Sequence, residues 1–325
     1  PDYHDLALDL DVERAIVVGN GNVAMDVTRM LSISPDELAT TDIADHALER
    51  LRQSKIREVI MLGRRGPAQA SFTTPELREF GKLAGVDVIV DPQNIALDPQ
   101  SEASLADDRT SAANMELLRA YAAVTEHTAP RRIVLRFLAS PVLLSGDALG
   151  HVTAMRIERN QLDSDGYGGL VARGTGTFET IPTGLVLRSV GYRSMPIEGV
   201  PFDEKTKTFN NVAGRLFDER TGEQFTGEYV VGWAKRGPTG LIGNNKPDSA
   251  ATVASMMEDL PTLDGIVDDQ RDPARIEGFL RARGVDLVTT PDWKKLDQFE
   301  VERGKPQGRP RVKATTVPEM LSAIH

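Results

Sequence analysis

Three small residues near the start of the sequence have a spacing that suits the binding of a pyrophosphate. Gly19, Gly21 and Ala24 fit the pattern GxGxxA, directly after an apolar run and at the start of a helical pattern. The first glycine makes a tight turn, the second lets the backbone approach the ligand, and the alanine permits close packing of helix on strand. The helix N-terminus adds N–H donors and a partial positive charge. The pattern favours a dinucleotide site, and a purely structural glycine turn is the alternative.

Two adjacent arginines, Arg64 and Arg65, follow the apolar run of residues 59–62 and one glycine. Sites specific for NAD carry an acidic residue near the end of the second strand, where it binds the ribose 2′-hydroxyl. No acidic residue lies at the end of the second predicted strand here. An acid would repel a 2′-phosphate, whereas two guanidinium groups can bind it with bidentate hydrogen bonds. The pair therefore predicts NADP(H) as the nucleotide, with a solvated basic turn as the alternative.

An α/β fold is predicted to position these two motifs. Apolar strands are expected at residues 14–18, 57–62 and 86–91, with helical patterns after the first two. This alternation is typical of a Rossmann-like domain. Alternating patterns over three further stretches predict paired antiparallel strands. These stretches are residues 131–146, 151–162 and 176–192.

The rest of the sequence predicts a second set of elements after a proline-rich crossing at residues 194–206. A strand at 228–233 is followed by a glycine-rich loop at 234–248 and a helix at 249–260. We expect one more helix near 273–283, and an extended basic segment, "GRPRVK", follows later in the sequence.

Composition limits the classes of protein that this chain can belong to. The 325 residues are enough for about two domains, and the net charge of −10 argues against a general nucleic-acid or membrane-surface binder. There is no cysteine, which excludes a disulfide framework, a thiolate-ligated cluster and a redox CxxC motif. The five histidines lack metal-binding spacing, so no metal site is expected. No run approaches the ~18 apolar residues of a membrane span, and we expect a cytoplasmic protein.

Five segments in order along the chain resemble the adrenodoxin reductase family, and its mycobacterial members most of all. They are "VVGNGNVAMDVTRML", "GRRGPAQASFTTPELRE", "LRSVGYRS", "GWAKRGPTGLIGNNK" and "GRPRVK". These enzymes are ferredoxin–NADP reductases with two dinucleotide folds, in which an NADPH domain is inserted into a FAD domain. The resemblance implies an NADP(H)-binding Rossmann-like domain at 1–193 and the C-terminal portion of a FAD-binding dinucleotide-fold domain at 194–325.

The resemblance also implies roles for particular residues. The NADP-binding turn of the family corresponds to Asn20, Gly21, Asn22 and Val23, after Gly19 of the fingerprint. Its 2′-phosphate arginines correspond to Arg64 and Arg65, and a glutamate near the nucleotide corresponds to Glu76. Its flavin contacts correspond to Trp233 and to the backbone of Gly240, Leu241 and Ile242. A glycine-rich loop that runs from a strand into a helix supports the flavin assignment, because it offers N–H groups and a positive helix end. A tryptophan buried in the core is the alternative for Trp233.

Two acidic residues are candidates for proton handling. Acids at the positions of Asp26 and Glu79 lie near the nicotinamide in the family. The alternatives are a charge partner in the first helix for Asp26 and a solvated helix face for Glu79.

The sequence departs from the family pattern in two ways. The family begins with a FAD fingerprint, and no second GxGxxG motif is present here, so we expect a truncated chain or a second chain that carries the N-terminal FAD-binding half. Mitochondrial relatives also carry a basic run after the third strand, where this sequence has Arg109 as its only cation. Candidates for a basic docking surface are Arg78, Arg131 and Arg132, each of which is otherwise an ordinary surface charge.

The predicted function is that of a flavoprotein oxidoreductase. Hydride passes from NADPH to FAD, and single electrons pass to a ferredoxin-type iron–sulfur protein. One alternative is an NADP(H)-binding fragment that is inactive without its FAD half. Another is a flavoprotein like the glutamate synthase small subunit, which shares a similar glycine turn but carries cysteine clusters that this sequence lacks.

Overall fold

A five-stranded parallel sheet forms the centre of the first of two structural units. The structure is a computed structural model, and it describes residues 2–238, 242–263, 265 and 272–325. The first unit comprises residues 1–190 and 288–325, and the second comprises residues 191–287. The assignment of 1–193 to NADP(H) and of 194–325 to FAD concerns cofactors and stays a prediction.

In the described part of the chain, eight strands belong to the first unit and five to the second. The first eight are β1 (Arg14–Val18), β2 (Glu58–Leu62), β3 (Val86–Val90), β4 (Arg131–Arg136), β5 (Ala139–Gly146), β6 (Val152–Ser164), β7 (Leu170–Pro182) and β8 (Leu185–Arg188). The others are β9 (Phe202–Asp203), β10 (Thr208–Phe209), β11 (Asn211–Val212), β12 (Arg215–Phe217) and β13 (Gln224–Tyr229).

Helices of both units alternate with these strands. Those of the first unit are α1 (Asn22–Ser32), α2 (Pro35–Leu38), α3 (Asp45–Arg52), α4 (Thr74–Phe80), α5 (Pro99–Ser104), α6 (Arg109–Ala122), α10 (Thr290–Gly304) and α11 (Val317–Ile324). Those of the second unit are α7 (Trp233–Arg236), α8 (Ile242–Asp259) and α9 (Pro273–Ala282). Among the described residues, no helix combines the length and apolar character that crossing a membrane requires.

The parallel sheet has the strand order β3-β4-β2-β1-β8, and its central strand is covered on both faces. All five residues of β2 are buried, which agrees with its nearly continuous apolar sequence. One face packs against helices and their connecting loops through side chains such as Phe72, Phe80 and Met115. The other face packs, through Ile16 and Ile60, against the antiparallel sheet β5-β6-β7. The predicted α/β fold class is confirmed.

The pairing predicted for two of the strand regions was wrong. We expected residues 131–146 and 176–192 to be wholly antiparallel, but β4 lies parallel between β3 and β2, and β8 lies parallel to β1. Only β5, β6 and β7 form the antiparallel sheet. Alternation reports which side chains are buried and does not identify the partner strand. For β4, the preceding helix α6 supplies the crossover that a parallel pair needs.

The second unit contains small antiparallel sheets and three helices. Its core is built around Phe209, Leu216 and Val230. The predicted strand at 228–233 ends earlier, at Tyr229. The predicted loop was also too long, because α8 begins at Ile242 and contains Pro247. Pro247 is the sixth residue of α8, so the helix continues through a residue type that usually interrupts one.

Candidate functional site

Gly19 makes the turn between β1 and α1 at the carboxyl edge of the sheet. Its φ of 134° lies in the region that favours glycine, and its N–H donates to the Leu62 carbonyl at 2.9 Å. A Cβ on Gly19 would lie 2.0 Å from the carbonyl oxygen of Ser189, just beyond β8. The ends of β2 and β8 therefore enclose this turn, and only glycine fits between them.

The N-terminus of α1 is open to a ligand. Gly21 caps the helix without a side-chain hydrogen bond, and the first intrahelical bond is donated by Met25 to the Gly21 carbonyl. Within the described part of the chain, the three N–H groups before Met25 have no hydrogen-bond partner. A Cβ on Gly21 would have its nearest neighbour, the Ser71 Cβ, at 4.0 Å. The glycine leaves space in front of free donors, and this arrangement fits a phosphate group.

The two asparagines of the turn fasten it to the segment that precedes α4. The Asn20 carbonyl accepts a hydrogen bond from the Ser71 N–H at 3.1 Å. The Asn22 Oδ1 accepts one from the Thr73 N–H at 2.9 Å. Because Thr73 is the N-cap of α4, the N-termini of α1 and α4 lie side by side. Val23 follows on α1, where its side chain is exposed.

The arginine pair lies on a loop at the same edge of the sheet. Its start is held by two main-chain hydrogen bonds, from the Gly63 N–H to the Arg136 carbonyl at 2.7 Å and from the Ala139 N–H to the Gly63 carbonyl at 3.0 Å. The side chains of Arg64 and Arg65 are exposed. In the described residues, neither guanidinium has a carboxylate partner or a hydrogen-bond acceptor. Two unneutralised cations beside an open helix N-terminus fit a phosphate-rich ligand.

Arg29 joins two of the predicted acidic residues. From α1 it pairs with Asp26 on its own helix and with Glu76 on α4, the latter at 3.4 Å from Nη1 to Oε2. The predicted nucleotide contact Glu76 and the predicted proton-handling residue Asp26 therefore share one guanidinium.

Glu79 lies on the next turn of α4 and pairs with Lys82 at 2.6 Å. The hydrogen bond from Lys82 is the main cause that lowers the pKa of the Glu79 carboxyl, and the charge of Arg29 adds to it. A carboxyl with a lowered pKa is ionised near neutral pH. It has no proton to donate there, and it is a weaker proton acceptor than an ordinary glutamate, so the lowered pKa does not favour the predicted proton-handling role.

Trp233 belongs to an aromatic pair in the second unit. Its side chain is 39% exposed, and its ring lies 5.5 Å from that of Tyr192, measured between centroids. Trp233 begins α7, and the preceding Gly232 has a φ of 66° and donates its N–H to Asp248 at 2.6 Å. The alternative of a tryptophan buried in the core does not hold. Gly240 and Leu241 lie outside the described residues, and Ile242 is the first residue of α8.

Asn160 is a site residue that the sequence analysis missed. Its side-chain amide donates to the Arg64 carbonyl at 2.8 Å, although 96 residues separate the two. The only sequence signal is an asparagine in the middle of a strand pattern, where this residue type is disfavoured. That signal does not say which loop the side chain reaches.

Comparison with known proteins identifies the family of the chain. No protein-family model matches it. The NADPH-ferredoxin reductase FprA of Mycobacterium leprae is 45% identical over 326 residues, which cover 100% of this chain and 70% of the relative. The mitochondrial NADPH:adrenodoxin oxidoreductase of Arabidopsis thaliana is 36% identical, and 69% of its length is covered. The structure of Mycobacterium tuberculosis FprA in complex with NADPH superimposes with a TM-score of 0.90 at 43% identity, covering 100% of this chain and 70% of that one.

The chain belongs to the NADPH–ferredoxin reductase family of the adrenodoxin reductase type.

Membership in the NADPH–ferredoxin reductase family confirms the resemblance and the prediction of an oxidoreductase. The individual residue roles stay predictions. The structure brings together the glycine turn, the arginine loop and Glu76 in the first unit, and it places Trp233 in the second. Among the described residues, no cluster of three potential metal ligands occurs.

Proposed function

We propose that this chain acts as a ferredoxin–NADP reductase, in which electrons from NADPH pass through FAD to a ferredoxin-type iron–sulfur protein. One observation carries the nucleotide part of the proposal. Arg64 and Arg65 present two guanidinium groups that have no acidic partner among the described residues, at the sheet edge where the N-terminus of α1 is open. An NAD-specific site would place an acid there, whereas a 2′-phosphate requires cations.

The first unit would bind and orient the nucleotide. The pyrophosphate would accept hydrogen bonds from the N–H groups at the start of α1, in the space that Gly21 leaves open. Arg64 and Arg65 would hold the 2′-phosphate with charge-assisted hydrogen bonds. Asp26 and Glu76 fix Arg29 between α1 and α4, which keeps this cation at the site. Glu79, which the resemblance places near the nicotinamide, would act there as a fixed negative charge, because its lowered pKa makes it a weak proton acceptor near neutral pH.

The second unit would hold part of FAD. The exposed aromatic pair of Trp233 and Tyr192 fits a flat ring system, and the backbone at Gly240, Leu241 and Ile242 is proposed to contact the flavin. When bound, FAD supplies the conversion of a two-electron transfer from NADPH into one-electron transfers to the acceptor. In this proposal the adenosine half of FAD binds to polypeptide outside the printed sequence, on the same chain or on a second one.

The double variant Arg64→Ala/Arg65→Ala tests the proposal. Each charge-assisted hydrogen bond to the 2′-phosphate is worth about 1.5–3 kcal/mol of binding, so we expect NADPH affinity to fall about 10- to 150-fold for each arginine removed, with little change for NADH. The two affinities are measured by titration of nucleotide fluorescence. The matched control is Arg109→Ala, which removes an exposed cation at the start of α6. An unchanged preference for NADPH in the double variant would refute the proposed role of the arginines.

A further inference from the structure

The arginine loop is held at three consecutive carbonyl groups. The Gly63 carbonyl accepts from the Ala139 N–H, and the Arg65 carbonyl accepts from the Leu138 N–H, each at 3.0 Å. The Arg64 carbonyl between them accepts from the Asn160 side chain at 2.8 Å. All three donors come from the antiparallel sheet or from the turn that enters it. The sheet therefore determines where the backbone beneath both guanidinium groups lies.

Asn160 is the one side-chain donor among the three. It is only 4% exposed, on β6 at an irregularity in the pairing with β7. Its Nδ2 also contacts the Ser140 Oγ at 2.8 Å. Because a peptide carbonyl can only accept a hydrogen bond, the atom facing Arg64 must be the amide nitrogen. The main-chain N–H of Asn160 donates separately to the Leu138 carbonyl at 2.8 Å, so it helps to hold the turn that carries another of the three donors.

We propose that Asn160 is a positioning residue for nucleotide selection. By holding the carbonyl of Arg64, it keeps the backbone of both arginines in the orientation that directs their guanidinium groups to one phosphate. This inference rests on the proposed function, because it assumes that Arg64 and Arg65 bind the 2′-phosphate. A phosphate site made of two flexible side chains binds more tightly when their backbone is fixed in advance.

The side chain can be tested separately from the main chain of the same residue. Asn160→Leu removes the amide and keeps a similar volume, and it leaves the two main-chain bonds from Leu138 and Ala139 in place. Asn160→Ala also removes the donor without adding a charge, and it serves as a second variant if the leucine variant does not fold. The control is Ser140→Ala, which removes the other partner of the amide and leaves its bond to Arg64 intact.

The experiment measures the dissociation constants of NADP⁺ and NAD⁺ for each variant by calorimetry. We expect the constant for NADP⁺ to rise about 10-fold in the Asn160 variants, while that for NAD⁺ changes less than about 2-fold. Ser140→Ala should retain the wild-type ratio. A merely structural role would raise both constants together, and this result, or no change in either, would overturn the inference.

The Arg64→Ala/Arg65→Ala variant, measured in parallel, separates this inference from the proposed function. If that variant loses the preference for NADP⁺ and the Asn160 variants keep it, the arginines select the nucleotide without help from Asn160. If the double arginine variant keeps the preference, the 2′-phosphate role fails and the inference about Asn160 fails with it.

Discussion

At the scale of single residues, Gly19 and Gly21 of the fingerprint are glycine for different physical reasons. Gly19 has a positive φ and lies against the Ser189 carbonyl, so the fold itself requires it. Gly21 has an ordinary extended conformation and free space around its Cα hydrogen. The packing of the chain therefore does not require its lack of a side chain, which leaves space at the helix N-terminus.

Substitution by alanine should separate these two roles. We expect Gly19→Ala to lower the free energy of unfolding by about 3 kcal/mol or more, because the methyl group collides with backbone and the conformation is strained. Gly21→Ala should cost only about 1 kcal/mol of stability, because alanine is a poorer N-cap than glycine, and it should weaken NADP⁺ binding about 10-fold or more by filling the space before the free N–H groups. Urea unfolding and nucleotide titration test both. A Gly21→Ala variant with normal affinity would contradict this account.

At the scale of elements, charged side chains close the amino edge of the parallel sheet. Glu58 at the start of β2 is bonded to Arg14 of β1 and to Arg132 of β4, and its side chain is only 11% exposed. Arg131 donates to the Ser32 and Ile33 carbonyls at the end of α1. The arginines considered for a basic docking surface at residues 131–132 are thus engaged within the fold. One carboxylate links three neighbouring strands.

Removal of that carboxylate should destabilise the sheet. In Glu58→Gln, two guanidinium groups lose their shared counter-charge, and we expect the free energy of unfolding to fall by about 1–3 kcal/mol. This loss in free energy is smaller than the loss expected for a fully buried ion pair, because Arg14 and Arg132 are partly exposed to solvent. Urea unfolding measures it. Glu13→Gln, at an exposed position just before β1, is the control, and an equal effect in both variants would show that the ion pairs contribute nothing.

At the scale of the whole molecule, the chain leaves the first unit at residue 191 and returns to it at residue 288. Arg309 holds the returning segment. Its side chain is 5% exposed, donates to the carbonyls of Thr41 and Ile43, and pairs with Asp45. Thr41 and Ile43 lie between α2 and α3, and Asp45 begins α3, all more than 260 residues earlier in the sequence. The last segment is therefore an integral part of the first unit.

Arg309→Ala should release this segment. The variant leaves two partly buried carbonyl groups without a donor, and we expect a loss of about 2–4 kcal/mol in unfolding free energy. Faster amide hydrogen exchange in residues 305–325 would locate the change. Asp45→Asn keeps the carbonyl contacts and removes only an exposed charge, so it should cost less than about 1 kcal/mol. Exchange that stays at the wild-type rate in Arg309→Ala would show that other contacts hold the segment.

The sequence by itself determined the strand–turn–helix at Gly19, the arginine loop and the family, because these depend on residue types at short spacing. The helices α1 and α4 were also predictable from their sequence patterns. Only the tertiary structure decided that β4 and β8 lie parallel in the main sheet, and that Asn160 holds Arg64. Strand partners and contacts across 96 residues depend on how distant segments meet in space, and no local pattern records that.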